Sequence, residues 1–266
     1  MKTYLTLSAI ALAAAATLSS GVVVAAEPTP DFTVAYNVGA TSDYRVRGLK
    51  QNNSNPSVQG GIDVAHKSGF YVGTWGSTVS EWTAAGSASN MEVDYYGGYK
   101  TELAGVALDF GTIYYNYPGA AKTNYSDTRE VYVGAAYGPA AFKVSRVMST
   151  NYFASTSTAA EDASGTMYYD LTLSQEVAPK LTAAVHAGYT DWKNGVRDTY
   201  GSSNAKLSYA DYNVGLTYDY EGYLLGVKYY FNDTAAGTKS YAGSSGPTGN
   251  KNLYSNGFAV SILKAF

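Results

Sequence analysis

The chain of 266 residues has no cysteine and only two histidines, and charged residues make up 15% of it. Without cysteine there are no disulfides, although an exported protein would be permitted them. A soluble domain usually carries about 25% charged residues, so the Lys- and Glu-rich dress of a soluble surface is missing. The formal net charge of -3 argues against a nucleic-acid partner. Beyond the N-terminus, no run approaches the 18 apolar residues of a membrane-spanning helix. GxSxG, HExxH and a phosphate-cradling glycine motif are all absent. No cluster of His, Asp and Glu has the spacing of metal ligands, so neither a metal nor a cofactor is expected.

Residues 1–26 read as a cleaved signal peptide. Lys2 supplies the charged start, LTLSAIALAAAATL the apolar stretch, and Val24-Ala25-Ala26 the small-residue cleavage site. The apolar stretch is too short and too diluted with Ala and Ser for a membrane anchor. The mature chain, 27–266, is expected to be one domain.

That chain is rich in Tyr, Gly, Thr, Ser, Asn and Val, a β composition. Apolar and polar residues alternate with period two. FTVAYNVGA places Phe32, Val34, Tyr36 and Val38 on one face, and YADYNVGLTYDY places Tyr212, Val214, Leu216, Tyr218 and Tyr220 opposite Asp211, Asn213, Thr217 and Asp219. Five tight connections fall at His66-Lys67-Ser68-Gly69, Leu103-Ala104-Gly105, Gly138-Pro139, Ala178-Pro179-Lys180 and Glu221-Gly222. Six longer polar segments alternate with them, at about 44–56, 81–90, 118–128, 154–165, 193–208 and 234–253. Eleven connections imply twelve strands. Sorting by loop length is the habit of an outer-membrane barrel, with short periplasmic turns and longer extracellular loops. Closure leaves no strand edge facing lipid. The expected fold is therefore all-β: a transmembrane antiparallel up-and-down barrel of about twelve strands. Tyr36, Tyr114, Tyr117, Tyr189, Tyr209, Tyr220, Tyr223 and Tyr229 fall toward strand ends, as an aromatic girdle requires. GFAVSILKAF alternates to Phe266, like the terminal signature read by barrel-assembly machinery. Lys264 interrupts its oily face and can snorkel to the interface.

SDYRVRGLKQ, GGIDVAH and SGFYVGTWGS together resemble the first hairpin of the TorF-type porin family of Gram-negative bacteria. The matching residues are Ser42-Asp43-Tyr44-Arg45, Arg47-Gly48, Gly61, Asp63, His66, Ser68-Gly69-Phe70-Tyr71, Gly73 and Trp75. The resemblance covers about the first third of the chain. It implies an outer-membrane barrel with a channel role, and brings no catalytic residue and no substrate.

Continuing the phase of the first strand puts Asp43, Arg45 and Arg47 on the inward face at the extracellular rim and Val46 outward. The two arginines either attract anions at a pore mouth or lock the first loop onto wall carboxylates; the structural role leads. The inward face then carries Asp63, Glu92, Asp94, Asp109, Glu130, Asp170, Glu176, Asp211 and Asp219 against Lys100, Lys143 and Lys228, with Arg129 near the rim. Three lysines cannot neutralise nine acids, so an open lumen is expected to prefer cations mildly. Twelve strands lie between the filled eight-stranded barrel and the aqueous sixteen-stranded one. Inward Tyr71, Tyr96, Tyr115, Tyr132, Tyr168 and Tyr230, with Trp75, narrow it further, and the last loop, 234–253, can fold inward as a plug. The expected function is a narrow porin-like channel for ions and small polar solutes, partnered by outer-membrane lipid. A closed structural or loop-binding barrel, adhesin-like, is the alternative. A barrel hydrolase needs a Ser-His or Asp-His arrangement. His66 lies at a turn, and His186 faces inward mid-strand, where a lumen hydrogen-bond network accounts for it. Oligomeric state has no signal in the sequence.

Overall fold

The computed structural model of the chain describes residues 30–80, 89–120, 127–153, 162–193, 208–233 and 253–266. The expected signal peptide, 1–26, and most of the last long loop lie outside the described residues. Among the described residues fourteen strands form: β1 (Phe32–Thr41), β2 (Arg45–Val46), β3 (Leu49–Lys50), β4 (Ser57–His66), β5 (Phe70–Thr78), β6 (Met91–Leu103), β7 (Val106–Asn116), β8 (Thr128–Tyr137), β9 (Ala140–Val147), β10 (Met167–Ala178), β11 (Leu181–Asp191), β12 (Tyr209–Tyr220), β13 (Tyr223–Asn232) and β14 (Gly257–Ala265). Twelve pair with their sequence neighbours, antiparallel throughout, and β1 pairs with β14 to close the barrel. β2 and β3 form a separate small hairpin inside the first long connection. All five tight connections fall where the sequence puts them.

Closure runs to the last residue. The Phe266 amide donates to the Tyr36 carbonyl at 2.9 Å, and the Tyr36 amide donates back at 3.2 Å. Two turns use the left-handed backbone that suits the twist of a hairpin: Ala104 and Gly105 at φ 53 and 83, and Glu221 and Gly222 at φ 52 and 80.

The oily face points outward. Phe32, Val34, Tyr36 and Val38 are half exposed, as are Val214, Leu216, Tyr218 and Tyr220. A solvated face so uniformly apolar has no place in water, and strands of about 9–11 residues match a membrane crossing. Aromatic rings band both ends. At the short-turn end Phe32 meets His66 at 4.8 Å and Phe70 meets Tyr99 at 5.0 Å. At the long-loop end Tyr229 meets Phe258 at 4.7 Å and Tyr212 meets Phe231 at 5.2 Å. Two of the expected girdle residues do not belong to it. Tyr117 and Tyr209 are buried inside the barrel, Tyr117 because it begins a loop and Tyr209 because it shares the inward phase of Asp211. Lys264 bends as its aliphatic stem allows: Nζ donates to the Glu221 carbonyl at 3.1 Å and lies 4.4 Å from the Tyr223 ring.

The outward face carries a testable cost. Val214, mid-strand in β12, replaced by arginine should destabilise the folded barrel by about 2–4 kcal/mol, and Tyr220→Arg, at the strand end, by about 0–1 kcal/mol. Urea titration in lipid vesicles measures both. Equal costs would mean that this face meets no hydrocarbon.

Candidate functional site: a hairpin across the lumen

The buried core of a barrel with an oily exterior has to lie inside it. Here it sits at the long-loop end, and the first connection builds it. β1 stops at Thr41, and Ser42 makes the last exchange with β14: its amide donates to the Val260 carbonyl at 2.9 Å, and its Oγ accepts from the Val260 amide at 3.0 Å. The chain then leaves the wall and turns inward as the β2–β3 hairpin. Asp43, Arg45 and Arg47 therefore do not continue the phase of β1, as the sequence suggests. Val46 likewise packs against the buried cluster instead of facing out. The two-residue turn is Arg47-Gly48, at φ 50 and 77. A β-carbon on Gly48 would lie 2.7 Å from the Asp211 Cβ, so the tip touches the β12 wall. Arg47 holds a left-handed conformation without being glycine, which costs about 1 kcal/mol or more and persists only where surroundings enforce it.

Those surroundings are specific. Glu130 stands on β8, five strands round from β1 in the closed order. Arg47 Nη1 donates to Glu130 Oε1 at 2.8 Å and Nη2 to Oε2 at 2.7 Å, a two-pronged pair whose side chains are 8% and 1% exposed. Nη1 also donates to the Tyr152 hydroxyl. The guanidinium carbon lies 4.2 Å from the Tyr168 ring, 5.5 Å from Tyr152 and 5.8 Å from Phe153. The Tyr209 hydroxyl donates to the Arg47 carbonyl at 2.9 Å. Burial works against the charge on Arg47, the Glu130 carboxylate more than offsets it, and the guanidinium is held protonated above its ordinary value. Of the two readings of these arginines, the geometry is that of the lock.

Arg45 serves the hairpin itself. Its Nε and Nη2 donate to Asp43 Oδ2 at 2.9 and 2.6 Å, its Nη1 donates to the Ser255 carbonyl at 2.8 Å, and its guanidinium lies 5.0 Å from the Tyr230 ring. Tyr44 donates to both Glu92 oxygens at 3.3 Å and packs on Trp75 at 5.6 Å. Burial, then Glu92 and Asp94, raise the Tyr44 hydroxyl well above its ordinary value, so it stays a donor at any working pH. The Lys50 amide donates to the Leu253 carbonyl at 3.2 Å, which ties the hairpin to the described end of the last loop. The expected plug segment, 234–253, otherwise lies outside the described residues; among the described residues, the first connection folds inward.

The remaining predicted lumen residues line the barrel below the hairpin. Tyr96 donates to Asp63 at 2.7 Å. Tyr71 donates to Asp109 at 2.7 Å and lies 2.5 Å from the Tyr132 hydroxyl. Lys100 and Lys143 reach the Tyr71 and Tyr132 rings at 4.6 and 5.4 Å. Lys228 faces in opposite Ala259. His186 sits between Asp211 at 3.2 Å and Asp170 at 3.5 Å, with Tyr168 and Thr172 at 3.3 and 3.2 Å. The wall thus gathers charge into local groups.

Two predicted lumen residues cap turns instead, and Arg129 keeps its expected place at the rim. Glu176 accepts from the Lys180 amide at 3.1 Å and Asp219 from the Gly222 amide at 2.7 Å. Both keep the inward phase but cap short turns, because the strand ends within a few residues. Arg129 lies over the Tyr114 ring at 5.0 Å, at the rim as expected but exposed. His66 Nδ1 is 2.7 Å from Ser68 Oγ within an exposed turn.

Sequence reasoning counted inward tyrosines as narrowing the lumen. Three instead lie along the wall over a glycine of the neighbouring strand. A β-carbon would sit 2.4 Å from Tyr96 at Gly73, 2.4 Å from Tyr132 at Gly111, and 2.1 Å from Tyr168 at Gly188. The signal was present: directly paired Gly73↔Tyr96 and Gly111↔Tyr132 follow from the register. Gly61 does the same for Trp75, with 3.1 Å to its Cδ1.

His186 yields a further expectation. His186→Ala leaves Asp170 and Asp211 facing each other without their shared partner, and should destabilise the barrel by about 3–5 kcal/mol. His186→Lys should recover part of that loss. Urea titration of both variants decides it, and an unchanged midpoint for the alanine would remove the ionic role.

No curated protein matches the chain. Among solved structures, the NanC porin is 13% identical with a TM-score of 0.49, covering 86% of this chain and 98% of that one. The KdgM porin, solved in complex with disordered oligogalacturonate, is 8% identical with a TM-score of 0.48, covering 88% and 98%. A membrane protein from a study of in-meso crystallization is 11% identical with a TM-score of 0.50, covering 88% and 83%. The barrel conclusion rests on the strand pairing itself. A family model matches residues 25–266, almost the whole chain, and the chain belongs to that family, the Gcw_chp bacterial proteins of unknown function.

Proposed function

We propose that the protein is a porin-like channel of the Gram-negative outer membrane, exported by its N-terminal segment, and that the β2–β3 hairpin sets its width. The observation that carries the reading is the Arg47–Glu130 pair, which pins an inward-folded loop to the far wall of a barrel with an apolar exterior. Short turns then face the periplasm and long loops the exterior. Phe266, at the closing seam, is the residue offered to the barrel-assembly machinery. Ions and small polar solutes pass by diffusion, without catalysis or cofactor. The TorF-type resemblance of the first hairpin supports the same role.

A mild cation preference is part of this proposal. Much of the wall's acid is matched locally, Glu130 by Arg47 and Asp170 with Asp211 by His186. The preference is therefore expected to be weaker than a count of acids suggests. Replacing Arg45 and Arg47 with Gln and measuring reversal potential under a salt gradient tests the pore-mouth role. The lock predicts an unchanged potential; a shift toward cations would restore a pore-mouth role to the arginines. The closed, loop-binding barrel remains the second reading, favoured by the buried cluster of Tyr44, Tyr115, Tyr152, Phe153 and Trp192 at the long-loop end.

A further inference from the structure

Glu92 and Asp94 stand apart from every other acid of the wall. They occupy successive inward positions on β6, and both are 0% exposed. Among the described residues, neither has an ion-pair partner. Both Asp94 oxygens are buried without a hydrogen bond of ordinary geometry, and Glu92 is the side chain that lies against them. Glu92 accepts from the Tyr44 hydroxyl, 3.3 Å from each of its oxygens, with the Tyr117 hydroxyl and Asp94 itself also beside it. The surroundings do not help. Asp94 is flanked in register by Trp75 and Tyr115. Arg47, whose guanidinium lies against Tyr152 and Phe153 of the same buried cluster, is already committed to Glu130. A buried carboxylate without partner is among the most costly arrangements a protein can hold, and two together add repulsion. Something must neutralise them.

We propose that Glu92 and Asp94 hold one hard divalent cation, calcium by fit, under the Tyr44 hydroxyl. Its two charges match the two carboxylates. Same-face neighbours on a strand stand about 7 Å apart. Carboxylates leaning toward each other from that spacing can share an ion with ligand distances of about 2.3–2.6 Å. Calcium takes mixed carboxylate, hydroxyl and carbonyl oxygens in irregular geometry, whereas magnesium demands an octahedron and keeps its waters. No group of three or more His, Asp or Glu converges as a metal site among the described residues, so the Tyr44 hydroxyl and water would complete the shell. Because Tyr44 belongs to the hairpin segment, the ion also ties the inward-folded loop to β6, on a different wall from the Arg47 latch.

Equilibrium dialysis of the refolded full-length barrel against radioactive calcium at neutral pH tests this without reference to conduction. We expect saturable binding of about one ion per chain. Asp94→Asn and Glu92→Gln should each weaken it at least tenfold, while the rim variant Glu176→Gln should bind like the parent. The double variant Glu92→Gln with Asp94→Asn removes the repulsion and serves if a single variant does not fold. No saturable binding in the parent, the result if the pair instead shares a proton, would overturn the proposal. So would undiminished affinity in the Glu92 and Asp94 variants.

Discussion

Arg47→Ala should destabilise the folded barrel by about 3–5 kcal/mol, far more than an exposed ion pair would cost. The reason is what remains behind. Glu130 is 1% exposed, and without the guanidinium its carboxylate is a buried charge with no counter-ion. Glu130→Gln should cost less, because the amide oxygen still accepts from Arg47. Arg47→Met together with Glu130→Leu should recover most of the loss, since replacing both members of a buried pair with apolar side chains is often neutral. Urea unfolding in lipid vesicles, read as a double-mutant cycle, measures the coupling directly. Additive single effects would mean that the two groups do not share a desolvated pair.

Gly188→Ala should cost about 1–3 kcal/mol and loosen the same latch from a distance. A single methyl there would sit 2.1 Å from the Tyr168 hydroxyl and 2.6 Å from Asp211 Oδ2. Tyr168 must swing off the wall into the lumen. That removes the ring 4.2 Å from the Arg47 guanidinium and the hydrogen bonds of 3.2 and 3.3 Å to Asp211. The same substitution combined with Tyr168→Ala should cost less than the two single losses added together, because the ring's share of the clash is gone and only the contact with Asp211 Oδ2 remains. A Gly188→Ala variant with the parent's stability would show that the ring does not need the bare backbone.

Most of the wall was legible in the sequence, and the reason is physical. Period-two alternation fixes which side chain meets lipid, and a one-residue slip would invert all of it. Phe32 to Val38 and Tyr212 to Tyr220 therefore read correctly, and the turn residues at Ala104-Gly105 and Glu221-Gly222 marked the short end. The wall acids Asp63, Asp109, Asp170 and Asp211 followed from the same phase. The hairpin did not. Phase continues only while a strand stays in its ladder, and nothing in SDYRVRG says that the ladder ends at Thr41. The one local hint was Arg47-Gly48 as a two-residue turn, flanked by residues too few to look like strands. Its partner Glu130 lies 83 positions away, beyond the reach of any local pattern. The wall tyrosines were misjudged because their fate depends on the glycine across the ladder, which register decides. Glu176 and Asp219 were read as lumen because phase cannot tell a mid-strand acid from one that caps the next turn.

The account turns on the hairpin standing in the path of solute. Single-channel conductance of the refolded chain in a planar bilayer tests that most directly, comparing the parent with a variant whose residues 43–51 are replaced by a short Gly-Ser linker. The predicted result is small, discrete steps for the parent and severalfold larger steps for the variant. Equal conductance in two proteins verified as folded would contradict the account, and silence from both would leave a closed barrel that works through its loops.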